Sequence, residues 1–164
     1  IGALAARPAT FACLPGDPAA TLPGARVVPD EEALRAEVRT AIAEHLEPVL
    51  TGFGPRMRRR GRALWGMATD EVVESLWYVA HLLGDGEQDR ARHELELLLP
   101  GATKPYVGSA AFRELTGPNG ESLPTRDRAS CCMFYTLRPE DICATCPRTC
   151  ATGRRAERAT AVAA

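Results

Sequence analysis

Five of the six cysteines of this chain lie between Ser130 and Cys150, in the stretch SCCMFYTLRPEDICATCPRTC, and no other feature restricts the fold as much. Cys131 and Cys132 are adjacent, ten residues follow, and Cys143 and Cys146 close the pattern as a Cys-x-x-Cys. A lone buried cysteine packs as a small hydrophobe and gains nothing from others beside it. Clustering therefore points to a disulfide framework or to a metal held by thiolates. A relaxed disulfide separates its Cα atoms by more than adjacent residues allow, which disfavours a bridge within the vicinal pair. Bridges from that pair to Cys143 and Cys146 stay open in an oxidising compartment.

The metal reading asks less of the backbone. Residues Met133 to Leu137 can run out as a short strand, turn at Arg138-Pro139-Glu140-Asp141 and bring Cys143 and Cys146 back beside the first pair. Structural zinc usually takes two Cys-x-x-Cys knuckles, whereas here one knuckle is a direct Cys-Cys step. Neighbouring side chains on a strand point to opposite faces, so Cys131 and Cys132 reach one centre only if the backbone kinks. A two-iron cluster is a wider target than one zinc ion. Iron-sulfur, zinc and disulfides all remain open on residue chemistry alone.

The same residues carry a family resemblance. Arg128-Ala-Ser-Cys-Cys-Met-Phe-Tyr, the ten-residue gap and Cys143-Ala-Thr-Cys-Pro resemble the C-terminal signature of FhuF-like ferric siderophore reductases. His45-Leu-Glu-Pro48 and Leu64-Trp-Gly-Met-Ala68 are similar to helical segments upstream of the cluster in that family. The resemblance implies a 2Fe-2S cluster on Cys131, Cys132, Cys143 and Cys146. It also implies one-electron reduction of ferric iron in siderophore complexes, with ferrous iron released in the cytoplasm. Two departures stand out: Ala144-Thr145 replaces an often acidic Cys-x-x-Cys interior, and Cys150 is an extra potential ligand.

The remainder of the sequence is compatible with that role. A length of 164 residues suits a single domain spanning 1–164, with the cluster segment at 126–150. Net charge is -1, which gives no electrostatic case for nucleic acid, and no apolar run reaches the roughly 20 residues of a membrane helix. No signal peptide is legible, although the chain begins at Ile1 and not Met, which leaves room for an upstream segment. A cytoplasmic location follows as the expectation, because thiols stay reduced there.

The expected fold is mainly α, about three main helices supporting a small irregular, partly β cysteine segment. Residues 1–29 are rich in Pro, Gly and Ala and read as an irregular lead-in or edge, with Cys13 a small buried apolar residue. From an Asp30 N-cap, Leu34, Val38, Ile42, Leu46 and Val49 recur at helical spacing until Pro48 ends or kinks the helix. TGFGPRMRRRGR then reads as a loop with five arginines, either a solvated helix start or a docking surface for an acidic donor or anionic ligand. Charge reversal at Arg58 and Arg59 tests the docking idea. Gly52-Phe-Gly54 lacks a third glycine and a preceding strand, which excludes a dinucleotide fingerprint.

A second helix covers Leu64 to Leu83, as one piece or broken at Thr69-Asp70, with Leu64, Trp65, Ala68, Val72, Leu76, Val79, Ala80 and Leu83 on its inner stripe. A third covers about Gln88 to Leu99 and stops at Pro100, and Gly117-Pro-Asn-Gly120 reads as a turn between extended pieces. Trp65 and Trp77 read as packing residues, and His45, His81 and His93 converge on nothing legible. Phe134 and Tyr135 are expected to wall the cluster, Pro147 to stiffen the second turn, and the tail after Cys150 to fray.

No catalytic triad, Walker loop or flavin or nicotinamide fingerprint is present, so no catalytic group separate from the cluster is expected. Electrons would come from a ferredoxin or an NAD(P)H-dependent flavoprotein reductase. The competing readings are a structural zinc module that serves interactions, and an iron-sulfur sensor without reductase activity.

Overall fold

The computed structural model describes residues 9–57, 59–138, 143 and 145–147. The chain divides into two compact units, Ile1–His45 and Leu46–Ala164. The elements are mainly helical, as the periodicity predicts: α1 (Glu31–Met57), α2 (Gly61–Leu83) and α3 (Asp85–Leu98), with two short strand pairs.

In the first unit, β1 (Phe11–Cys13) pairs in parallel with β2 (Ala25–Val27), Phe11 opposite Ala25. Three-residue strands are too short to show an alternating pattern, which is why this stretch reads as irregular from sequence. The connection holds a 3-10 turn, Pro18–Thr21, capped by Asp17, the Ala19 N–H donating to Oδ1 at 2.8 Å. At Gly24 a Cβ would fall 2.3 Å from the Ala9 carbonyl oxygen, so only glycine fits that close approach. Cys13 is buried, as expected of a small apolar residue. Asp30 caps α1, accepting from the Ala33 N–H at 2.8 Å.

Helix α1 does not end at Pro48, which overturns one arm of the expectation that Pro48 ends or kinks it. The helix continues through Pro48 and Pro55 to Met57, so most of the supposed arginine loop is helical. Each proline removes one backbone donor, but the chain beyond gains packing. Gly54 lies so near α2 that an added Cβ would be 3.4 Å from Leu64 Cδ1, and Glu47 accepts a 3.1 Å bond from the Trp65 indole. Arg58 lies outside the described residues, and α2 begins at Gly61.

The core of the second unit is built on α2 and α3. Helix α2 is continuous through Thr69-Asp70, and its buried side comprises Leu64, Trp65, Gly66, Ala68, Thr69, Asp70, Val73 and Ala80. The expected inner stripe is right at Leu64, Trp65, Ala68 and Ala80. It is wrong at Leu76, Val79 and Leu83, which are exposed. The buried face is rotated toward Thr69, Asp70 and Val73, because the residues just before the cysteines pack there through polar contacts that an apolar count misses. Leu95 and Leu98 of α3, with Leu99 and Tyr106 beyond it, complete the core. Each such buried leucine contributes about 1.5–3 kcal/mol. Trp65 meets Tyr106 edge-on at 5.5 Å, and Trp77 meets Phe112 at 5.4 Å with the Arg92 guanidinium over both the Trp77 and Phe112 rings. Both tryptophans are therefore packing residues.

An antiparallel hairpin follows, β3 (Phe112–Thr116) against β4 (Ser122–Arg126), with Phe112 opposite Arg126. Its turn is the predicted Gly117-Pro-Asn-Gly120, closed by Gly120 N–H to Gly117 O at 3.0 Å with Gly120 left-handed at φ 83°. β4 delivers the chain to the cysteine segment. Among the described residues, no helix is long and apolar enough to cross a membrane.

Candidate metal centre

The approach to the cysteines is fixed by one carboxylate. Asp70, on α2, is 2% exposed and receives three hydrogen bonds: Ala129 N–H at 2.7 Å, Ser130 N–H at 3.0 Å and the Ser130 hydroxyl at 3.0 Å. Two arginines compensate its charge, Arg126 at 3.5 Å and Arg128 at 3.7 Å. Arg126 is shared with Glu74, one helical turn further on. Next to Asp70, Thr69 donates to the Trp65 carbonyl and accepts from the Val107 N–H, which ties the 101–111 loop to α2. Gly66 leaves room for Ser130, whose Cβ would stand 2.9 Å from an added methyl. Arg59 reaches across from the α1–α2 connection and donates to the Cys131 carbonyl at 3.1 Å and the Met67 sulfur at 2.9 Å.

The cysteines themselves are placed by a tight reversal and not by a strand. Met133 adopts a left-handed conformation, φ 67°, and Phe134–Thr136 forms a 3-10 turn. This corrects the expected strand from Met133 to Leu137. The kink aims two consecutive amides at two sulfurs: Met133 N–H donates to Cys131 Sγ at 3.4 Å, and Phe134 N–H donates to the Cys132 sulfur. Paired N–H groups at such a bend favour an anion, which rewards the thiolate. Thr136 holds the bend by donating its hydroxyl to the Met133 carbonyl at 2.7 Å. Phe134 is exposed, so its part in the site is its backbone amide. The expected turn at 138–141 lies mostly outside the described residues, as does Cys150.

The Cys-x-x-Cys is closed by Cys146 N–H donating to the Cys143 carbonyl at 2.9 Å. Of the four sequence-predicted site residues, Cys131 and Cys146 are brought into contact. Cys131 Sγ lies 4.0 Å from Cys146 Sγ, and Cys143 acts on the Cys132 sulfur as a donor that favours its thiolate. None of the described cysteines is in a disulfide. Cys146 is buried, while Cys131, Cys132 and Cys143 are half-buried. Among the described residues, no three metal-ligating side chains converge on a single point. The thiols interact as two pairs.

Electrostatics favour charged sulfur here. The Phe134 N–H holds the Cys132 thiol below its ordinary pKa, and although burial opposes this, the Arg128 charge and bonds from Cys143 and Arg128 reinforce it. Burial works against the Arg128 cation, but Asp70, Cys132 and Cys143 outweigh it and hold its pKa above the usual arginine value. Four thiols in two interacting pairs, amides aimed at sulfur and an arginine alongside are a donor set that fits an anionic iron-sulfur cluster.

Sequence reading missed Asp70, Ser130 and Arg59 in these roles. A signal existed for the first: a carboxylate on the apolar side of α2, matched by Arg126 and Arg128 just ahead of the cysteines.

No curated protein and no solved structure matches the chain. A family model does match part of it, residues 128–148, described as the FhuF 2Fe-2S C-terminal domain. The matched stretch runs from Arg128 through all four clustered thiols. The segment that Asp70 anchors thus matches the FhuF 2Fe-2S C-terminal domain, in agreement with the resemblance of its sequence.

Proposed function

We propose that this protein reduces the ferric iron of siderophore complexes by one electron, with Cys131, Cys132, Cys143 and Cys146 as the ligands of its 2Fe-2S cluster. The observation that supports the reading is the Cys131–Cys146 thiol contact within the matched segment, which also holds Cys132 and Cys143 under amide and arginine donors. When bound, such a cluster exchanges electrons singly. Siderophore oxygens hold hard ferric iron tightly and ferrous iron far less tightly, so a single electron loosens the complex.

The chain's own residues then have limited tasks. Cys146, buried, keeps water from one side of the centre. The amides of Met133 and Phe134 hold thiolate charge in place, and Arg128 offsets part of it. Half-buried Cys131, Cys132 and Cys143 leave an accessible side for electron exchange. The electron spent on ferric iron is replaced by an external reductant, a ferredoxin or an NAD(P)H-dependent flavoprotein, in the cytoplasm where the ferrous product is used. Exposed Arg56, Arg60 and Arg62 offer such an acidic donor a cationic face.

The test combines spectra with an assay. Protein purified anaerobically should be red-brown, bleach on dithionite, and in its reduced state convert ferric siderophore to ferrous iron captured by a chelating trap, one iron per cluster. A colourless protein with stoichiometric zinc overturns the cluster assignment. A coloured protein that leaves every ferric siderophore class intact overturns the reductase role and leaves a redox sensor.

A further inference from the structure

One thiol contact runs crosswise through the signature. Cys131 Sγ lies 4.0 Å from Cys146 Sγ, joining a member of the vicinal pair to a member of the Cys-x-x-Cys, and this leaves Cys132 and Cys143, which interact electrostatically, as the other pair. Two thiolates on one tetrahedral metal at about 2.3 Å stand about 3.8 Å apart, close to the Cys131–Cys146 separation. A 2Fe-2S cluster with four cysteines gives two thiolates to each iron.

We infer that the irons divide the ligands crosswise, Cys131 with Cys146 on one and Cys132 with Cys143 on the other. This rests on the cluster reading above and goes beyond it. The sequential alternative, Cys131 with Cys132 and Cys143 with Cys146, requires adjacent side chains to turn toward one metal, although successive residues diverge in an extended backbone. Here the left-handed Met133 gives each vicinal sulfur its own amide, Met133 N–H for Cys131 and Phe134 N–H for Cys132, so the two sulfurs are held separately. The surroundings also differ. The first pair includes buried Cys146, whereas the second stands beside Arg128. Crosswise ligation therefore makes the irons inequivalent, and neither half of the signature holds an iron by itself.

NMR of the reduced full-length protein with isotope-labelled cysteine tests this. In a reduced 2Fe-2S centre, the cysteine β-protons on the ferrous iron and those on the ferric iron shift oppositely with temperature. Cys131 and Cys146 should share one behaviour, and Cys132 and Cys143 the other. Grouping of Cys131 with Cys132 overturns the inference.

A second measurement needs no cluster. In iron-free chains with Cys13→Ser and Cys150→Ser, a mild thiol oxidant removes two electrons and two protons for each disulfide formed. Adding Cys131→Ser should leave Cys146 open to alkylation, and adding Cys132→Ser should leave Cys143 open. The reverse pattern, or a Cys143–Cys146 bridge in both, overturns the pairing. A chain with these crosswise thiols that takes up no 2Fe-2S cluster instead overturns the proposed function, and the division of irons with it.

Discussion

Asp70 and Arg128 decide how firmly the centre is held and how readily it takes an electron. Asp70 is buried, accepts three bonds from Ala129 and Ser130 and faces two arginines. Removing one member of a buried ion pair costs about 3–5 kcal/mol, because the partner charges remain without compensation. Asp70→Ala should lose that much in urea unfolding and bind less iron, while Asp70→Asn, which keeps an acceptor oxygen, should lose less. Arg128 acts on the potential. A cation beside Cys132 and Cys143 stabilises the more negative reduced state, so Arg128→Gln should lower the midpoint by on the order of 50–100 mV in a redox titration. The four thiols were legible in the sequence because their spacing is itself the chemistry. Asp70 was not, because its partners lie about sixty residues away, and a helical pattern records which side is apolar without recording what covers it.

Helices α2 and α3 were visible through their period, and the β3–β4 turn through Gly117 and Gly120. The run of α1 past Pro48 was not, because local proline chemistry argues for a stop while packing near Leu64 and Trp65 argues for continuation, and packing prevails. Met133 to Leu137 was read as a strand because an outward run would let the chain return Cys143 and Cys146 to the first pair, but sulfur acceptors for the backbone amides favour the bend. Glycines at two helical positions give opposite expectations. Gly66→Ala pushes a methyl to 2.9 Å from the Ser130 Cβ and should cost about 1–3 kcal/mol. Gly86→Ala on α3 meets nothing within 4 Å and should stabilise by about 0.5–1 kcal/mol, both read from thermal melts. In the first unit, Arg26 on β2 pairs with Glu37 on α1 and, chiefly by hydrogen bonding, holds that carboxyl below its ordinary pKa. A folded-state pKa below the unfolded one means that the stabilisation is present at neutral pH and disappears as pH falls through the folded value. NMR titration of Glu37 should give a midpoint lower than that of an ordinary glutamate, and Arg26→Gln should restore the ordinary value.

At the scale of the molecule, helices and centre draw on different sources of stability. Leu64, Val73, Leu95, Leu98 and Leu99 give α2 and α3 a core of their own, whereas among the described residues from Cys131 to Pro147 only Cys146 is buried. Stripping iron with a chelator should leave far-UV circular dichroism nearly unchanged, while the 131–147 stretch becomes a protease target, because thiolate–metal bonds supply much of its order. A concerted loss of helix with iron would contradict this division. The footing of the cysteine segment on α2 has a practical consequence for protein engineers. Residues 128–148 transplanted alone onto a foreign scaffold would arrive without the acid that seats them, so a working graft must import an inward-facing carboxylate and a small-residue notch, the counterparts of Asp70 and Gly66, along with the thiols.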